Sequence, residues 1–274
     1  MMTKRFNKKI IKENELRKAL RKIGLTRGDT VLVHSSLRNM GKIEGIDEKD
    51  RHGYCQAIFQ CFDRVLGLTN HSGTLIVPAF THGYVKKQQP FYLEKTPAET
   101  GIFCEYVRQQ PGSLRTLHPI ASLCVIGRHK EAFKNLSTSA YGINSAFDVL
   151  TQIPRAKVVY LGAIFNHTTL MHHLEQLVGV SYMYHKAYFK PPVFVGRRRL
   201  SRPFYSFVRY LNRGVVTNYN PVGTELAKRG LVQEVLLNDF RIMCAGVSDI
   251  MRVGYEMFQQ NQCVFLEREY YFTR

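Results

Sequence analysis

The 274-residue sequence has no run of about 18 apolar residues, so no membrane-spanning helix is expected. Its first ten residues are basic, but no apolar stretch follows them, and they do not read as a secretory signal. The six cysteines (Cys55, Cys61, Cys104, Cys124, Cys244, Cys263) form no C-x-x-C pair, and no cluster of His, Cys, Asp or Glu has metal-ligand spacing. No metal site is therefore expected. The thiols read as buried and reduced in a cytoplasmic protein, as in Ser122-Leu123-Cys124-Val125-Ile126. No internal repeat and no low-complexity tract is present.

Acidic residues are scarce. Against 39 Lys and Arg stand 21 Asp and Glu, a formal net charge of +18. Such a field attracts anions: nucleic acid, acidic membranes, phosphorylated small molecules or acidic glycans. The charge is scattered, densest in residues 4–12, 17–27 and 197–199, and no zinc finger, RNP motif or basic zipper accompanies it. Nucleic acid is thus disfavoured as a partner. An apolar share of 45% with 22% charged residues fits a globular chain and excludes a disordered or fibrous one.

Apolar positions at helical spacing (Ile10, Ile11, Leu16, Leu20, Ile23) predict an amphipathic helix over residues 10–24. Short β-branched runs predict strands at residues 30–34, 73–78, 123–127 and 157–162. Helices are predicted at 49–65, 100–108 and 168–179, the last opened by Thr168 and Thr169 as capping residues. Alternation of strand and helix predicts an α/β fold, a layered α/β/α arrangement with a mainly parallel central sheet. Lys190-Pro191-Pro192 breaks the pattern, and residues 186–220 read as a small β excursion in the C-terminal third. Residues 222–265 return to helix and a final strand. The expected organisation is one domain, 1–274, with 186–220 as an inserted acceptor-side segment.

Three segments carry chemistry. In Val33-His34-Ser35-Ser36-Leu37, small hydroxyl residues follow a buried strand, where backbone N–H groups can reach a ligand or simply cap a turn. In Arg115-Thr116-Leu117-His118-Pro119-Ile120-Ala121-Ser122, an Arg and a His flank a fixed turn, suited either to gripping a ligand or to an ordinary loop. In Asn166-His167-Thr168-Thr169-Leu170-Met171-His172-His173-Leu174-Glu175, His172 and Glu175 stand three apart and share a helix face. A carboxylate beside an imidazole fixes its tautomer and raises its basicity, as removal of a proton from an attacking amine requires. From spacing alone, a solvated polar helix suits the same pattern.

These segments occur in the order and with the separations that characterise the acetyl-coenzyme A-dependent aminoglycoside 3-N-acetyltransferase family. The sequence resembles that family over roughly residues 10–265, through Gly28-Asp29-Thr30, Gly73-Thr74-Leu75, Thr96-Pro97-Ala98-Glu99-Thr100-Gly101, Asn144-Ser145 and Leu161-Gly162 as well. The resemblance implies that His172 is the general base and that Glu175 supports it. It implies that His34, Ser35, Ser36 and Leu37 line the pantetheine arm of coenzyme A. Arg115, Thr116, His118 and Ser122 would lie beside the thioester, and Ser145 in a further active-site loop, where Ala146 replaces the family's usual Pro. Acetyl-CoA would be the donor in a direct transfer without an acyl-enzyme, and a small-molecule amine the acceptor. A homodimer is left open.

The acceptor side departs from the family. Where aminoglycoside-acetylating members carry acids, this chain has Lys86, Lys87 and Tyr92, and a second such stretch, 209–214, has Asn212 and Arg213. His82, Lys87, Tyr92 and Asn212 are the expected acceptor-side residues. Their charge favours a neutral or anionic amine, such as a nucleotide-linked amino sugar, over a polycation. The alternatives are aminoglycoside acetylation conferring resistance, or a nucleic-acid-binding protein on an inactive scaffold.

Overall fold

A computed structural model describes residues 10–47 and 49–268; the basic stretch 1–9, read above from sequence, lies outside the described residues. The first third comprises β1 (Ile10–Ile11), α1 (Glu13–Lys22), β2 (Thr30–Ser35), β3 (Lys42–Ile43), α2 (Arg51–Leu66), β4 (Thr74–Pro78), α3 (Gly83–Lys86) and β5 (Phe91–Tyr92). Then follow α4 (Ile102–Gln109), β6 (Leu114–Arg115), β7 (Leu123–Gly127), α5 (Ala146–Gln152), β8 (Lys157–Leu161) and α6 (Leu170–Val178). The remainder is β9 (Met183–Tyr188), β10 (Val193–Val195), β11 (Arg198–Leu200), β12 (Phe204–Arg209), α7 (Asn220–Lys228), β13 (Val232–Leu237), β14 (Phe240–Gly246) and α8 (Val247–Gln260). No helix among the described residues is long and apolar enough to cross a membrane.

The periodicity that predicts the first helix holds for Leu16, Ala19 and Leu20, which are buried on one face of α1. Ile10 and Ile11 instead pair with Lys42 and Ile43 as strand. The Glu15 carboxylate accepts the Lys12 N–H at 2.8 Å and satisfies one of the donors a helix start leaves open. Asp50 does the same for α2 through Gly53 N–H at 2.8 Å, and α2 ends on Gly67 with φ 75°.

Seven strands form the main sheet in the order β13-β14-β8-β2-β4-β7-β6. Only the centre is parallel, β2 with β4 and β2 with β8; the pairings β4–β7, β6–β7, β8–β14 and β13–β14 are antiparallel. The sheet is therefore mixed, and the expected parallel character belongs to its centre. One physical reason lies in a short connection. Leu237 pairs with Phe240, which leaves only Asn238 and Asp239 to turn the chain, too few for a crossover helix. The expected closing strand is likewise β14, followed by the terminal helix α8.

Alternate residues of the central strands enter two cores. Leu32, Ile76, Val158 and Tyr160 join a cluster with residues of α5, α6, α7 and α8. Val31, Val33, Leu75, Val159 and Leu161 join another with residues of α1, α2 and α4. Each such side chain contributes about 1.5–3 kcal/mol when fully withdrawn from water. Residues 183–209, which overlap the expected excursion at 186–220, form two small sheets, β9 with β12 and, with β5 from earlier in the chain, β11-β10-β5.

The carboxyl ends of β2, β4 and β8 emerge side by side, because these strands run parallel. In open α/β sheets that is where ligands bind. Gly162 closes β8 there with φ 70°. A Cβ at this position would stand 2.5 Å from the Ser36 carbonyl oxygen and 2.3 Å from the Phe240 ring, so only glycine fits.

Candidate active site

The loop after β8 leads directly into α6. Thr168 and Thr169 do not cap it through their hydroxyls. The Thr168 hydroxyl bonds with the Tyr160 hydroxyl at 2.6 Å and donates to the Phe165 carbonyl at 2.5 Å, while Thr169 Oγ1 lies 3.5 Å from His34 Nε2. Both threonines therefore tie the start of α6 to the central strands, and the sheet fixes where His172 sits.

His172 and Glu175 meet as the spacing predicts, Nδ1 to Oε2 at 2.9 Å. Glu175 is fully buried, and two tyrosines complete its surroundings. Tyr182 donates to Oε1 at 3.0 Å and Tyr219 to Oε2 at 2.9 Å, and the Tyr219 oxygen also stands 3.0 Å from His172 Nδ1. Burial and the adjacent Glu175 charge push both phenols far above their ordinary range, so they stay protonated and remain donors. With the carboxylate accepting at Nδ1, the imidazole proton sits on Nδ1. In that tautomer the lone pair lies on Nε2, which meets no hydrogen-bond partner among the described residues.

Tyr219 arrives from far along the chain through paired asparagines. Asn166 Oδ1 accepts the Tyr219 N–H at 2.9 Å, and Asn220 Oδ1 accepts the Asn166 N–H at 3.1 Å. Sequence reasoning missed Tyr182 and Tyr219, and it placed Asn166 at the head of the His172 segment without a role. The one local signal for Tyr219 is an aromatic residue just ahead of Asn220-Pro221, where a helix begins.

His172 and Tyr219 line a cavity of about 330 Å³ together with His34, Ser35, Ser36, Phe80, Cys104 and Thr169. Burial, with a smaller contribution from His167, lowers the His34 imidazole to about 3, so that ring is neutral. Burial pushes the Cys104 thiol up to about 11, which removes it as a thiolate nucleophile. Ser35 and Ser36 also line a second cavity of about 730 Å³, with Leu37, Arg38, Lys42, Ile43, Arg51 and Ile102. The lining of that cavity combines apolar and basic side chains, with Asp47 as the lone acid. The backbone of Ser36 is not available to a ligand as expected, because its N–H donates to Leu161 O at 2.9 Å. The hydroxyls and side chains of residues 34–37 are what face the two cavities.

The side chains of the Arg115–Ser122 loop bond to neighbouring segments of the fold. Arg115 donates to Ser122 Oγ at 3.0 Å, to Ala79 O at 2.7 Å and to the Thr96 carbonyl, and so ties together three segments. Burial lowers its guanidinium to about 10, still charged near neutrality. His118 Nδ1 accepts the N–H groups of Ile120 and Ala121 at 3.2 and 3.0 Å, and Nε2 donates to Tyr205 O at 3.0 Å. Thr116 Oγ1 accepts Leu123 N–H, and Ser122 Oγ donates to Ala79 O. None of these four side chains lines either cavity. Ser145 is likewise internal, capping α5 by accepting Asp148 N–H at 3.2 Å. The hydrogen bonds of these side chains run within the fold.

The expected acceptor-side residues are also apart from these cavities. His82, Lys86 and Lys87 are exposed around α3, and Asn212 is exposed after β12. Tyr92 stacks on Phe194 with ring centroids 4.8 Å apart on the small sheet.

Comparison with known proteins shows which family the chain resembles. A relative from Pseudomonas aeruginosa, aminoglycoside N(3)-acetyltransferase III, is 25% identical over 171 residues, 58% of this chain. The match spans about three fifths of that relative's length, 61%. Aminoglycoside N(3)-acetyltransferase VIII of Streptomyces fradiae is 24% identical over 269 residues, covering 88% of this chain and 89% of the relative. The fold superposes on a solved structure of AAC-IIIb in binary complex with CoASH with a TM-score of 0.77 at 20% identity, over 95% of this chain and all of that one. The family model for aminoglycoside 3-N-acetyltransferases matches residues 32–259, most of the sequence, and the chain belongs to that family.

Proposed function

We propose that this chain is a single α/β/α-layered domain that transfers an acetyl group from acetyl-coenzyme A to an amine of an amino-sugar-type acceptor, with His172 as general base. The observation that carries the reading is the His172–Glu175 pair at 2.9 Å, its Nε2 left unpartnered, on the wall of a cavity. That cavity shares Ser35 and Ser36 with a larger one whose lining is basic and apolar. Residues that would suit coenzyme A are present. Arg38, Lys42 and Arg51 would attract its phosphates, and Ile43, Ile46 and Ile102 would cover its pantetheine arm. Asp47, a single carboxylate among these cations, does not reverse the sign of the wall.

Acetyl-coenzyme A, when bound, supplies an electrophilic carbonyl carbon and a thiol leaving group. An amine is mostly ammonium at neutral pH and must lose protons to attack. His172 Nε2 takes the proton that the nitrogen sheds as the C–N bond forms, and returns it to the departing sulfur as the C–S bond breaks. Glu175 balances the imidazolium that forms meanwhile, and Tyr182 and Tyr219 hold Glu175 in place. The Cys104 thiol, held protonated, is unsuited to form an acyl-enzyme, which favours direct transfer.

Relatives are named for aminoglycosides, which favours an aminoglycoside acceptor as the second reading. Against it, the cavity beside His172 has no carboxylate in its lining to hold a polycation. Purified protein with acetyl-coenzyme A, scored by thiol release against amino sugars, nucleotide-linked amino sugars and aminoglycosides, tests the proposal. Amine-dependent release is expected. Failure of millimolar coenzyme A to bind in calorimetry, together with no release, would overturn it.

A further inference from the structure

Tyr141 links the ring of His172 to a further cavity, whose lining does not include His172 itself. The Tyr141 ring packs 5.3 Å from that of His172 and lines this cavity, of about 480 Å³. Gln176, four residues after His172 and on the same face of α6, lines it as well. The loop before α5 contributes Ser137 and Ser139, and β9 and β12 contribute His185 and Tyr205. No Asp, Glu, Lys or Arg stands in this lining. Gln176 Oε1 is buried and has no hydrogen-bond partner among the described residues. The Tyr141 hydroxyl also makes no hydrogen bond there, and Tyr205 keeps 39% of its surface exposed.

We infer that this cavity seats the body of the acceptor, and that the acceptor is a polyhydroxylated molecule with no charged group besides its one reactive amine. The inference rests on His172 being the base. Hydroxyl, amide and imidazole groups recognise ligand O–H groups, and Gln176 Oε1 is an acceptor waiting for one of them. The faces of Tyr141 and Tyr205 suit the C–H face of a sugar ring. A second ammonium would lose its water here without a carboxylate, and a phosphate would find no Arg or Lys. Of the neutral or anionic acceptors expected from sequence, this lining favours the neutral one; Lys86 and Lys87 are exposed and line none of these cavities.

The test compares glucosamine, glucosamine 1-phosphate and kanamycin as acceptors at saturating acetyl-coenzyme A. The original protein, Gln176→Leu, Gln176→Glu and Tyr205→Ala are assayed, with coenzyme A affinity checking that each is folded. Glucosamine is expected to give the highest kcat/KM. Gln176→Leu and Tyr205→Ala should each raise its KM about fivefold to tenfold, the worth of one lost contact of this kind. Gln176→Glu should move the preference toward kanamycin. Preference for either charged acceptor, or a glucosamine KM indifferent to Gln176→Leu and Tyr205→Ala, with coenzyme A still bound and His172→Ala inactive, overturns this inference alone. Loss of coenzyme A binding in the original protein overturns the underlying reading as well.

Discussion

His118 and His172 look alike in the sequence. Each sits near hydroxyl residues, one beside an arginine and one beside a glutamate, and each follows a strand or turn that could face a ligand. In the folded chain both nitrogens of His118 are engaged by backbone, and burial lowers its imidazole to about 4. His172 is engaged on one nitrogen only, by a buried carboxylate, and lies on a cavity wall. The two rings even carry opposite tautomers, Nε2–H in His118 and Nδ1–H in His172, as their partners require. A histidine bonded at both nitrogens holds a fold together. One bonded at a single nitrogen is oriented and still able to take a proton.

The largest effect that would sharpen this contrast belongs to His172→Ala. It should lower kcat by about 10²- to 10⁴-fold, the usual worth of a general base, while leaving thermal stability within a few degrees. Steady-state kinetics beside a melting curve measure both, and near-normal turnover would break the comparison.

His118→Ala should do the reverse. It strands the Ile120 and Ala121 N–H groups and leaves the Tyr205 carbonyl with the Ala140 N–H alone, for a loss of stability of about 2 kcal/mol, with kcat per folded molecule little changed. The same residue shapes the acid limb. His118 falls from 6.5 to about 4 and His34 from 6.5 to about 3 on folding. The unfolded chain therefore binds more protons below 6.5, so this stability is complete above 6.5 and is lost as the pH falls through the folded values. Denaturant titrations from pH 7 to pH 4 should show stability falling with acid, and less steeply in His118→Ala.

Much of the site could be read where it is local. The strand ends after β2 and β8 and the three-residue spacing of His172 and Glu175 follow from period and sequence neighbours. What could not be read depends on distant segments. Tyr219 reaches Glu175 across 44 residues, and Arg115 finds its carbonyl partners at Ala79 and Thr96. No pattern in residues 115–122 distinguishes a guanidinium that grips a ligand from one that ties loops together, because the partners lie elsewhere in the chain. The mixed sheet was hidden for the same reason, since a strand's direction is set by its connection and its neighbours rather than by its composition.

A smaller effect is expected from Tyr219→Phe. It removes one hydrogen bond to a charged group and should lower kcat about tenfold, with KM for acetyl-coenzyme A unchanged. Tyr182→Phe is the natural companion, and equal kcat in both variants and the original would deny the tyrosines any part in orienting the pair. The smallest effect is at Lys87, exposed beyond α3 and absent from the cavity linings. Lys87→Glu should leave KM for the acceptor within about twofold, as surface charges screened by salt do; a large rise in steady-state KM would return this lysine to the acceptor site.

The central claim concerns one proton on one ring. Nitrogen-15 chemical shifts of the histidine side chains, measured near neutral pH with the signals assigned by His172→Gln and His118→Gln, locate it. The account predicts neutral His172 as the Nδ1–H tautomer, with Nε2 unprotonated, beside His118 as the Nε2–H tautomer. A neutral His172 protonated on Nε2 would contradict it, because that ring would have no lone pair to offer an amine.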